Sequence, residues 1–194
     1  MTNSLCRSFG AVSPSRVAVV AATLALVGTL ASPASTQSNG AAVLQRFAGT
    51  YRSRLPDGGG ALIRAAIEGV VVDMAPARES IARRRLLASD PPIPSVTITP
   101  RGDGLVIDYT GGRRNETPSL GTFASNPTAD GGTVDVKHDV VGNRIRETYR
   151  ERRGGAVHLF SLSGDGRELT LEATISSPHL PASITYTLAF ERTR

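Results

Sequence analysis

Leu169-Thr170-Leu171-Glu172-Ala173-Thr174-Ile175 and Ile184-Thr185-Tyr186-Thr187-Leu188-Ala189-Phe190 decide the fold of this chain. In both, apolar side chains recur at every second position with mostly polar residues between them. A period of two sends alternate side chains to opposite faces, so each run is a strand with one buried face. The same period recurs upstream at Val96/Ile98, Leu105/Ile107/Tyr109, Val134/Val136 and Ile145/Tyr149, with a less regular run at Val157–Leu162. Turn-forming clusters separate these runs: Arg101-Gly102-Asp103-Gly104, Gly111-Gly112, Val141-Gly142-Asn143, Arg153-Gly154-Gly155 and Gly164-Asp165-Gly166. Short strands joined by tight turns predict consecutive antiparallel hairpins, and closure of the meander removes its exposed edges. The expected architecture is mainly β, an antiparallel up-and-down barrel of eight or nine strands.

Upstream of Val96 the period changes. Phe47–Arg52 reads as a first strand and Leu55–Gly60 as a loop. Ile63, Ile67, Val70, Val71 and Met74 then fall on one helical stripe. Pro76 ends or kinks that helix, and Ala77–Leu87 forms a second helical piece before Ser89-Asp90-Pro91-Pro92. A helical pair over about 61–88 is thus expected between the first strand and the second. Residues 35–46 read as a flexible N-terminal segment, and residues 47–194 as a single domain.

The first 34 residues have a different composition. Arg7 and Arg16 precede the uncharged run Val17–Ala31, and Ser32-Pro33-Ala34 follows as a small-x-small site. Basic, apolar and small-residue segments in this order make a cleavable signal peptide. Fifteen apolar residues would extend only about 22 Å as a helix, too short for a membrane core of about 30 Å. The expected location is therefore extracytoplasmic, periplasmic or secreted in a bacterium, with no membrane span after cleavage. Cys6 is the one cysteine and would leave with the leader, so the mature chain holds no disulfide and no thiolate chemistry.

The chain carries 22 basic and 17 acidic residues. Removing Arg7 and Arg16 leaves a mild positive excess, which argues against a surface built for nucleic acid. Lys137 is the sole lysine. Arginine usage of this kind suits either bidentate anion recognition or a GC-rich coding sequence.

Gly49-Thr50-Tyr51 in the opening strand, the helical pair, the following meander and Arg192 at the end of the last strand together resemble the calycins, the barrel group of fatty-acid-binding proteins and lipocalins. The resemblance implies that Arg192 packs over Tyr51 to close the barrel and that the helical pair acts as a lid. Fatty-acid-binding proteins also hold a carboxylate with an Arg-x-Tyr pair in the final strand. Here that run is Arg192-Thr193-Arg194, so the clamp is incomplete.

Strand parity nominates the inward polar groups. Arg192 shares a face with Tyr186, Leu188 and Phe190; Glu147 shares one with Ile145 and Tyr149; His138 follows Val134 and Val136; Tyr109 follows Leu105 and Ile107. Arg192, Glu147, Tyr149, His138, Tyr109 and Tyr186 are the candidate ligand-binding residues. Apolar walls with a few convergent polar groups suit a small apolar or amphipathic ligand. The same residues also suit a filled core, with Arg192 covering Tyr51 and Glu147 paired for stability alone.

His138, His158 and His179 lack metal-ligand spacing, so neither a metal nor a cofactor is expected. No nucleophile elbow or phosphate loop is present, and no catalytic residues are assigned. A buried Glu147–His138 pair would reopen the enzymatic reading. Arg101-Gly102-Asp103 reads as a hairpin turn, Asn115-Glu116-Thr117 spells a glycosylation sequon, and Arg83-Arg84-Arg85 reads as a solvated helix end. Two functions follow: an exported carrier of a small ligand, or a non-catalytic envelope structural or interaction module. Oligomeric state is not specified.

Overall fold

The computed structural model describes residues 34–128 and 131–193, with side chains from residue 40 onward. The leader lies outside the described residues. The chain runs α1 (Ala34–Phe47), β1 (Gly49–Ser53), α2 (Gly60–Val71) and α3 (Pro76–Ser89). Nine further strands follow: β2 (Ser95–Arg101), β3 (Gly104–Tyr109), β4 (Arg113–Thr117), β5 (Ala124–Pro127), β6 (Thr133–Val141), β7 (Arg144–Glu151), β8 (Gly154–Leu162), β9 (Glu168–Ser176) and β10 (Ile184–Arg192). They form one sheet in the order β4-β3-β2-β1-β10-β9-β8-β7-β6-β5, antiparallel at every step.

The sheet curls into a nearly closed barrel. β1 joins its two ends in sequence, pairing Tyr51 with Val96 of β2 and with Arg192 of β10. A seam remains between β4 and β5, which share no ladder. The Glu116 backbone N–H crosses it by donating to Asn126 Oδ1 at 2.7 Å.

The strand count exceeds the expected eight or nine because β4 and β5 carry no period-two apolar signal. β4 is Arg-Arg-Asn-Glu-Thr, and its buried positions are the polar Asn115 and Thr117. β5 has only four residues and ends in Pro127. Residues 35–46 also depart from expectation: they belong to α1. Their polar composition suggested a free tail, but Leu44 and Phe47 are buried in the core and Val43 packs against it. The Tyr51 hydroxyl then donates to the Phe47 carbonyl at 2.9 Å and holds the helix end against β1. The first strand accordingly starts at Gly49 rather than Phe47.

The helical pair lies between β1 and β2, as the periodicity predicts. Asp57 starts α2, accepting from the Gly59 backbone N–H at 3.0 Å and from that of Ala61 at 2.7 Å. These bonds satisfy donors that a helix start leaves unpaired. Ile63, Ile67 and Val71 form the buried stripe, while Val70 and Met74 are partly buried. Each fully buried aliphatic side chain contributes about 1.5–3 kcal/mol, so α2 is an integral wall of the core. Gly59 permits this seating: its φ is +80°, and a Cβ there would lie 2.4 Å from Leu188 Cδ2.

α3 behaves differently, for it has no buried residue. Arg83 ties it to α2 by donating from Nε and Nη2 to the two carboxylate oxygens of Glu68, each at 2.7 Å, and also donates from Nη2 to Glu79 of α3 at 2.5 Å. Arg83 is therefore a paired bridge, not part of a solvated helix end. Ala82, Leu86 and Leu87 of α3 pack only partly against the core, and space is left open beneath the helix.

Candidate ligand-binding site

Three adjacent strands place a row of polar residues on one inner face. Glu147 of β7 is the direct cross-strand partner of His138 on β6 and of His158 on β8. Side chains opposed in this way stand about 4.5–5.5 Å apart at Cβ, within reach of each other. Glu147 and His138 are each 0% exposed, and His158 is 2% exposed.

Glu147 accepts five hydrogen bonds among the described residues. Oε1 receives Asn115 Nδ2 at 2.8 Å and His138 Nε2 at 3.1 Å. Oε2 receives the Tyr109 hydroxyl, the Tyr149 hydroxyl at 2.6 Å and His158 Nδ1 at 3.2 Å. On the far side of His138, Nδ1 lies 2.8 Å from Thr117 Oγ1. Asn115 and Thr117 come from β4, so the seam that lacks backbone pairing is bridged inside the barrel by side chains.

Burial alone would push the Glu147 carboxyl toward its neutral form, but the His138 and His158 hydrogen bonds outweigh it. They hold the carboxyl well below the usual range. Burial and the Glu147 charge push the Tyr109 hydroxyl far up. The Tyr149 hydroxyl is also raised, chiefly by burial. Both tyrosines are thus donors across the working pH range. A carboxylate with five donors has little capacity left to accept a proton from a substrate. Its role is to orient the histidines and tyrosines around it.

A second cluster adjoins the first. The Arg113 guanidinium lies 4.0 Å from the centroid of the Tyr109 ring and 5.7 Å from that of Tyr149. Its nearest carboxylate oxygen is Asp90 Oδ1 at 4.0 Å, and its Nε has no hydrogen-bond partner among the described residues. Asp90 accepts from the Tyr186 hydroxyl at 2.6 Å. Burial opposes the charge on Arg113, but the electron-rich Tyr149, Tyr109, Glu147 and Asp90 more than offset it.

These two clusters meet at the floor of a cavity of about 640 Å³ that opens beneath α3. Met74, Ile81, Leu86, Ile175 and Leu180 supply its apolar walls, and Asp90, Arg113, Tyr149 and His158 its polar floor. The inner barrel away from this cavity is filled by Phe47, Ile63, Ile67, Phe160, Phe190 and neighbouring side chains.

Of the residues that parity nominates, Glu147, His138, Tyr109 and Tyr149 form one hydrogen-bonded cluster, and Tyr186 joins it through Asp90 and Arg113. Arg192 does not. It stands six residues beyond Tyr186 on β10, about 20 Å away at 3.4 Å per residue. There it covers the Tyr51 ring at 5.0 Å and donates to the Tyr51 hydroxyl and, at 2.7 Å, to the Arg46 carbonyl. Arg192 and Tyr51 thus pair across the β10–β1 junction. Asn115, Thr117, Arg113 and Asp90 are site residues that sequence reasoning missed, and His158 entered it only as a histidine without metal-ligand spacing. Continuing the Leu105/Ile107/Tyr109 parity across the Gly111-Gly112 turn would have turned Arg113 and Asn115 inward.

The fold has relatives among solved structures. A secretary abundant heat soluble protein from Ramazzottius varieornatus aligns over 76% of this chain and 96% of its own at 13% identity, with a TM-score of 0.50. The fluorescent protein UnaG aligns over 77% and 99% at 11% identity, with a TM-score of 0.51. Fatty-acid-binding protein 1 of Echinococcus granulosus aligns over 77% and 99% at 14% identity, with a TM-score of 0.48. The chain is a calycin-like up-and-down barrel. No protein-family model and no curated protein matches the sequence, and identities this low establish architecture alone.

Among the described residues, no group of three or more histidine, cysteine, aspartate or glutamate side chains is arranged to hold a metal ion. No described helix is long and apolar enough to cross a membrane.

Proposed function

We propose that this calycin-like barrel is an exported carrier for a small apolar or amphipathic molecule. The cavity beneath α3 carries the reading: about 640 Å³, apolar on its walls and polar on its floor, is the size and lining of a small-molecule site. The lid is a helix with no fully buried residue; only its partly buried Ala82, Leu86 and Leu87 pack against the core, so moving it exposes less packed apolar surface than moving α2 would. Export is supported by the leader sequence, whose basic, apolar and small-residue segments precede the barrel domain.

Native mass spectrometry of the protein purified from its own host tests both parts. A carrier retains a small molecule that denaturation releases, and an exported chain has lost about 34 residues. An empty chain of full length would overturn the proposal. The second reading is a non-catalytic envelope module, favoured by the dense packing around Phe160, Phe190 and the α2 stripe. It predicts the shortened chain with nothing bound.

A further inference from the structure

The charges on the cavity floor are not matched. Glu147 is enclosed by its five donors, and Asp90 is engaged by Tyr186. Arg113 keeps its charge and has no carboxylate oxygen nearer than 4.0 Å. Its side chain is 25% exposed, and the exposed part lines the cavity. At the cavity wall Arg78, Arg85 and Arg153 outnumber the single carboxylate of Glu151. The cavity therefore presents a surplus of positive charge around an apolar interior.

His158 adds a proton site to this floor. Its Nδ1 faces Glu147 Oε2 at 3.2 Å and the Tyr109 hydroxyl at 3.1 Å. Both hydroxyls near it already donate to Glu147, so Nδ1 carries the ring hydrogen. The remaining nitrogen, Nε2, has no partner among the described residues, and His158 lines the cavity. In neutral His158 this nitrogen presents a lone pair, which repels an anion. Protonated, it becomes a donor beside Arg113.

The other groups around His158 permit that change. Glu147 and Tyr149 face it from β7 and Tyr109 from β3, while Arg113 of β4 lies across the Tyr149 ring and Asp90 beyond Arg113. His138 lies on the opposite oxygen of Glu147, β9 sets Ala173 directly opposite His158, and Ile175, Ser176 and His179 line the same cavity. Glu147 occupies Nδ1 at 3.2 Å, so the cavity-facing Nε2 is the nitrogen at which a further proton can be held. An anion arriving beside Nε2 stabilises a proton there by direct charge pairing.

We infer that the cavity floor is a proton-linked anion site, at which Arg113 and His158 hold the negatively charged head of an amphipathic ligand and His158 takes up a proton as the head arrives. The inference rests on the carrier reading and adds the sign of the ligand's charge and the direction of its pH dependence. It also assigns the head group to β4 and β8, not to the final-strand arginine.

Two fluorescent probes of similar size separate the two ideas. 8-Anilinonaphthalene-1-sulfonate (ANS) carries a permanently ionised head, and N-phenyl-1-naphthylamine (NPN) lacks one. At pH 6, ANS should bind the full chain at least about tenfold more tightly than NPN. Raising the pH to 8.5 should cut ANS affinity by about tenfold, the worth of one hydrogen bond to a charged group, and leave NPN unmoved. Calorimetry in two buffers of different ionisation enthalpy should show proton uptake with ANS alone. His158→Asn should flatten the pH dependence, and Arg113→Leu should bring the ANS-to-NPN affinity ratio to near one. Arg192→Met should keep the wild-type ratio. Equal affinities, or an ANS affinity without pH dependence, overturn the anion site while leaving the carrier reading intact. If neither probe binds, both fall. If Arg113→Leu loses NPN as well, the His158→Asn profile and the proton count decide.

Discussion

Glu147 and His138 face each other as direct cross-strand partners on β7 and β6, with Oε1 and Nε2 3.1 Å apart and neither residue exposed. A charge so deep costs several kcal/mol to desolvate, and its hydrogen bonds return about 1.5–3 kcal/mol each. The balance is close to even while all partners are present. It becomes unfavourable when one is removed.

Glu147→Gln is therefore expected to lower stability by about 3 kcal/mol at pH 7, read from urea unfolding, because the amide nitrogen meets donors where an acceptor stood. The effect should depend on pH with a definite sign. The folded carboxyl titrates well below the ordinary range, whereas the unfolded one titrates near 4.3. Its stabilisation is complete above about pH 4.3 and is lost as pH falls from there toward the folded value. The gap between wild type and Glu147→Gln should thus be constant from pH 5 to 7 and shrink below pH 4. A gap that widens in acid would refute this account.

Arg192→Met should cost about 1 kcal/mol of stability, the typical worth of one guanidinium over an aromatic ring. Binding of NPN should be unaffected, since Arg192 lies at the far end of β10 from the cavity. A loss of probe binding without a loss of stability would return Arg192 to the ligand site.

Gly59→Ala should lower stability by about 1–3 kcal/mol, since the added methyl meets Leu188 and the backbone stays at positive φ. Thermal unfolding of Gly59→Ala, of Leu188→Ala and of the double variant separates the two causes. A smaller cost of Gly59→Ala in the Leu188→Ala background identifies the clash; an equal cost in both backgrounds identifies the backbone.

Arg83→Ala removes the bridge from α3 to Glu68 while leaving the core untouched. Stopped-flow measurement should show NPN dissociating several-fold faster, with the melting temperature nearly unchanged. An unchanged rate would mean that α3 is not the lid.

The barrel was legible because its core strands follow the period-two rule: Leu169, Leu171 and Ala173 on β9 and Ile184, Tyr186, Leu188 and Phe190 on β10 are all buried. The same parity put Glu147, Tyr149, His138 and Tyr109 on inner faces. It could not show that His138, Glu147 and His158 form one row, because that depends on the register of three strands. β4 was hidden for the opposite reason. Its inward residues are polar, Asn115 and Thr117, and a search for apolar alternation passes over a strand whose buried face is built to donate hydrogen bonds. Asn115 reads as a sequon in the linear chain, yet in the fold its amide is spent on Glu147 and Tyr149. α1 was obscured by the polar run at its start, with the anchoring Leu44 and Phe47 only at its end.

The seam between β4 and β5 leaves two strand edges without ladder partners, and such edges invite pairing between molecules. Its two lips discourage that. Arg114 and Glu116 make one lip charged, and Pro127 removes a donor from the other. A barrel left ajar for the sake of its polar interior is in this way kept from becoming a template for aggregation.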